Sequence, residues 1–138
     1  MNSREIFEPQ TVLSAVAATG AGNYIRTESA RHKLLRVSTS GMGAGDSIVV
    51  KVQASDAETA PDFDSASSLT NPWEYVDCKS LEDTSDVDGD GGIIINDADD
   101  TRRFEVNDNG ARWITCNVTT LSDTSNTTVT ATLSLFND

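Results

Sequence analysis

The chain has 138 residues, 37% hydrophobic and 23% charged, with a formal net charge of −12. A chain of this length suits one domain and buries roughly two-thirds of its unfolded surface, so its core needs no disulfide or metal staple. Its acidity repels phosphate backbones and anionic lipids, which sets nucleic acid and membranes aside as partners.

Residues 1–9 contain Ile6 and Phe7 followed by Pro9, and read as an N-terminal arm ahead of a domain spanning 10–138. The start MNSREIFEPQ lacks a basic region leading into an apolar run, so no signal peptide is expected. No stretch approaches the roughly 20 apolar residues of a membrane span.

From there the hydropathy alternates with period two, the signature of half-buried strands. Strands are expected at 11–17, 24–27 and 33–38, the first two separated by the glycine loop TGAGN. After a second glycine loop, SGMGAGD, Ile48, Val50, Val52 and Ala54 share one face of a strand while Val49, Lys51 and Gln53 share the other. Residues 54–72 are polar and bounded by Pro61 and Pro72, and read as a long surface loop with a short helical turn at 56–59. Further strands are expected at 73–78, 92–96 and 101–106. Asn109-Gly110 signals a hairpin into 112–118, where Ile114, Cys116 and Val118 alternate with Trp113, Thr115 and Asn117. In the last strand, 128–136, Val129, Ala131, Leu133 and Leu135 face inward, leaving Thr128, Thr130, Thr132, Ser134 and Phe136 outward. No segment has a helical period. About eight or nine short strands predict an all-β, single-domain, two-sheet sandwich, and the 54–72 connection suits the crossover of a jelly roll.

One stretch resembles a calcium loop. In DVDGDGGIIIND, Asp86, Asp88, Asp90, Gly91 and Asp97 occupy positions at which an EF-hand loop places ligands and its turning glycine. The flanks lack the paired helices of that motif, and Gly91-Gly92 before Ile93-Ile94-Ile95 has the look of a turn entering a strand. The stretch is therefore read as an acidic solvated turn, with a calcium ion bracing the loop as the alternative; no metal or cofactor is assigned.

Other chemistry is sparse. The single histidine, His32, begins a strand and has no nucleophile motif beside it, so no catalytic residue is assigned and the chain is not expected to be an enzyme. Cys78 and Cys116 sit among strand residues and read as buried free thiols, with a bridge or reactive thiol as alternatives. Trp73, Tyr75 and Trp113 could pack at the edge of the sandwich, anchor a protein interface, or form a sugar platform. The Thr and Ser row of the last strand is a neutral hydroxyl face that needs little desolvation when another surface lies on it.

The succession HKLLRVSTSGMGAGDSIVVKVQASD, then WEYVD, then RRFEVNDNGARWITCNV and a closing TVTATLSLF resembles the small jelly-roll proteins that cement or decorate the capsids of tailed bacteriophages. The resemblance covers roughly residues 20–136; the DVDGDGG stretch and the 54–72 loop depart from the common form. It implies a structural virion protein, made in the host cytoplasm and bound to the capsid exterior. There it would bridge major capsid protein subunits and associate with itself as a dimer or trimer. In that setting the acidity suits basic patches on the shell. The alternative is a carbohydrate-binding or adhesion β-sandwich, supported by calcium.

Overall fold

A computed structural model describes residues 8–27, 30–108 and 110–137. Twelve strands run in chain order: β1 (Gln10–Val16), β2 (Gly20–Ala21), β3 (Ile25–Arg26), β4 (His32–Ser40), β5 (Ser47–Ser55), β6 (Glu74–Tyr75), β7 (Asp77–Ser80), β8 (Asp86–Val87), β9 (Ile93–Asn96), β10 (Thr101–Asn107), β11 (Trp113–Leu121) and β12 (Thr128–Phe136). No described residue is helical, and residues 58–59 form a bend where a helical turn was expected.

The strands form two six-stranded antiparallel sheets. The first has the order β1-β12-β4-β10-β7-β8. In the second, β11 and β5 lie at the centre, with β2 and β3 along the free edge of β11 and β6 and β9 along that of β5. Four nested pairings define the topology: β1 with β12, β2 and β3 with β11, β4 with β10, and β5 with β9. They amount to one long hairpin rolled into a barrel-like sandwich, the jelly roll.

The alternation in the sequence sets the core. On β12, inward Val129, Ala131, Leu133 and Leu135 are buried and every outward residue is half-buried. From the second sheet, Ile48, Val50, Val52, Ile114, Cys116 and Val118 meet them with almost no exposure. Burying each such aliphatic side chain contributes about 1.5–3 kcal/mol, which the chain entropy largely offsets.

Two expectations are corrected by packing. The segment 73–78 is not one strand. It divides at Val76, with β6 pairing with β5 in one sheet and β7 pairing with β10 in the other. The crossing between sheets in this part of the chain therefore occurs at Val76, and 54–72 returns to the edge of the sheet it left. Nor is that loop a plain solvated excursion. It folds over the outer face of the second sheet, burying Phe63, and Gln53 donates its amide to the Phe63 carbonyl at 2.9 Å. Gln53, on the outward face by alternation, is thereby fully buried, as is its neighbour Thr115, which donates to the Asn23 carbonyl at 3.0 Å.

Candidate functional site

The calcium-like stretch is built around its glycines. Gly89 is buried against the backbone of Val76, so close that a Cβ would press on the peptide atoms of Tyr75 and Val76. Its N–H donates to the Asp77 carboxylate at 2.7 Å. Gly92 has φ +77° and lies against Val49, Val50 and Lys51, a conformation and a clearance that suit only glycine. The stretch thus clamps the point where the chain changes sheets and then turns into β9.

Its aspartates diverge. Asp86 lies 4.0 Å from Lys79, while Asp97 turns to another loop and accepts the Gly45 N–H at 2.9 Å. Asp88 contributes its backbone carbonyl to the Gly92 N–H rather than a converging carboxylate. Among the described residues no group of three or more His, Cys, Asp or Glu side chains is placed to hold a metal ion. The neighbouring acids work on the glycine loop 41–46: Asp99 accepts the N–H groups of Gly41 and Met42, and Asp46 that of Gly43. These carboxylates fix a loop that would otherwise leave backbone donors unpaired.

The aromatic residues staple the long loop. Trp113 donates its indole N–H to Ala57 O and Trp73 donates to Ser65 O, both at 2.9 Å. Inside the loop, the Asn71 side chain accepts the Asp62 N–H and donates back to the Asp62 carbonyl, each at 2.8 Å. Ser65 donates to the Asp62 carboxylate, which holds that carboxyl below its ordinary range. The result is a fixed platform whose tip shows Leu69 fully exposed. Trp73 meets Tyr75 at 5.1 Å and 69°, and Tyr24 meets Trp113 at 5.4 Å and 90°. Edge-to-face pairs of this kind set the positive edge of one ring against the negative face of the other and hold both rings in place.

His32 opens β4 half-exposed, with Nδ1 3.1 Å from the Glu105 carboxylate. Cys78 and Cys116 are both buried and free. Burial pushes the Cys78 thiol up to about 12, with Asp77 adding to the effect, and drives Cys116 higher still. Thiols held neutral in this way behave as small apolar groups. Phe136 ends the outward row of β12; Ile6 and Phe7 lie outside the described residues.

Sequence reasoning missed one buried pair. Lys33 lies on the inward face of β4, in phase with Leu35 and Val37, and its side chain is 2% exposed. Its ammonium meets Asp108, itself nearly buried, at 3.1 Å to Oδ1 and 2.9 Å to Oδ2. Oδ1 carries the hydrogen bond and also accepts the Gly110 N–H at 3.3 Å, whereas the contact to Oδ2 is ionic only. A lysine in register with core leucines and valines was the available signal.

No family model matches the chain, and no curated protein matches it either. Among solved structures, the crystal structure of the SPBc2 prophage-derived protein YomS superposes with a TM-score of 0.62 at 12% identity, covering 99% of this chain and 97% of that one. At such identity the likeness is one of fold, and it runs from end to end of both chains.

Proposed function

We propose that this protein is a structural component of a tailed-phage virion that binds the outside of the capsid and bridges neighbouring major capsid protein subunits. The observation that carries the reading is the end-to-end correspondence in fold with a prophage-derived protein. The surface supports it. The motifs that looked chemical are used in packing: the acidic stretch clamps a sheet crossing, the tryptophans pin a loop and the cysteines fill the core. In this reading the protein is not an enzyme and needs no cofactor, and copies associate as dimers or trimers on the shell.

The test is co-sedimentation with empty shells of the major capsid protein encoded in the same genome. Saturable binding at micromolar protein, with a delayed heat rupture of the decorated shells, is the expected result. Absence of binding at that concentration, or binding to a glycan array instead, would overturn the reading.

A further inference from the structure

At the centre of the open face of the first sheet two cations stand side by side in an otherwise acidic molecule. The chain has 22 acidic residues against 10 Lys and Arg. Yet Arg36 on β4 and Arg103 on β10 are directly paired positions, both outward and both exposed. Like charges placed directly opposite on neighbouring strands repel, so the pair destabilises the isolated fold. Among the described residues neither guanidinium has an acidic partner within ion-pair distance. The carboxylate next along this face, Glu105, is engaged by His32. In register with Arg36 on its other side stands Thr132, within the hydroxyl row Thr130, Thr132 and Ser134. The centre of this face is thus two exposed, unneutralised guanidinium groups beside a strip of half-buried hydroxyls.

We infer that this face is the docking surface for the shell, and that it receives a carboxylate-bearing protein surface. The inference rests on the capsid reading above and names the face and the chemistry of its partner. Guanidinium groups bind carboxylates through two parallel hydrogen bonds, and two adjacent forks match a pair of acidic side chains. The hydroxyl strip loses little on desolvation and fills the contact around them. A phosphate partner would meet the same forks, but the net charge of −12 repels a polyanion at long range.

The experiment compares wild type, R36E/R103E and R36K/R103K in co-sedimentation with empty shells, alongside K51E on the opposite sheet. Losing buried charge-assisted contacts is expected to weaken shell binding by the double reversal at least about 30-fold. The lysine pair, with charge but no fork, falls between, and K51E binds as wild type. Thermal unfolding of R36A checks folding: relief of the repulsion leaves Tm equal to wild type or higher. If wild type binds and R36E/R103E binds within about twofold of it, this inference fails while the capsid reading stands. If wild type itself does not bind empty shells, the capsid reading fails. Binding of wild type to naked DNA, lost in R36E/R103E, would assign the arginines to phosphate and also overturn the proposal.

Discussion

The Lys33–Asp108 pair gives the sharpest test of the energetics. Both side chains are almost fully removed from water, at 2% and 5% exposure, so each charge depends on the other. In K33M the stem is replaced by a chain of similar volume, but the Asp108 carboxylate is left in the interior with, among the described residues, only the Gly110 N–H as a donor. Stranding one buried charge costs about 3–5 kcal/mol, whereas replacing both by apolar groups is often neutral. At this chain length about 3 °C of Tm accompanies each kcal/mol, so K33M is expected to melt about 10–15 °C below wild type. D108L strands the ammonium and falls by a similar amount. The double variant K33M/D108L recovers most of the loss, giving a coupling energy of at least about 5 kcal/mol in the double-mutant cycle. Urea titration followed by tryptophan fluorescence, at fixed pH and with m-values compared, measures it. Additive losses, or a K33M penalty under about 1 kcal/mol, would show that the pair is hydrated in solution and refute the reasoning.

Two further outcomes follow from the site. The folded-state pKa of Cys78 is raised from 9.0 to about 12, so its contribution to stability is complete below pH 9 and is lost as pH rises from there toward 12; Cys116, raised further, acts in the same direction. Native protein at pH 8 is therefore expected to resist iodoacetamide at both thiols while urea-unfolded protein alkylates at both, and rapid native alkylation would contradict the burial. Since Asp86, Asp88, Asp90 and Asp97 do not converge, melting curves in chelator and in millimolar calcium should coincide; a calcium-dependent rise in Tm would show by mass action that these loops close on an ion.

The legible part of this fold was the local part. In residues 128–136 the side chain that points inward is fixed by the pleat alone, and the burial of β12 follows the alternation residue for residue. The glycine loop 41–46 was legible for the same reason, with Gly41 and Gly45 at positive φ, whereas the hairpin expected to lead into 112–118 is not formed: β10 pairs with β4 and β7 in one sheet and β11 with β5 in the other. The calcium-like spacing of Asp86, Asp88, Asp90, Gly91 and Asp97, by contrast, brings no ligand group together among the described residues, and the glycines that packing requires are Gly89 and Gly92, which lie against Val76 and β5.

Sequence determined that this chain is an all-β sandwich with a hydroxyl-bearing last strand, since period two and β-branched side chains are properties of neighbours along the chain. Only the tertiary structure decided which strands became neighbours. It set Lys33 against Asp108 across 75 positions, folded the 54–72 loop over Gln53 so that Phe63 is buried, split 73–78 between two sheets, and laid Arg36 beside Arg103. The register of strands distant in sequence is chosen by burying the whole apolar face at once, and no local window of residues contains that choice.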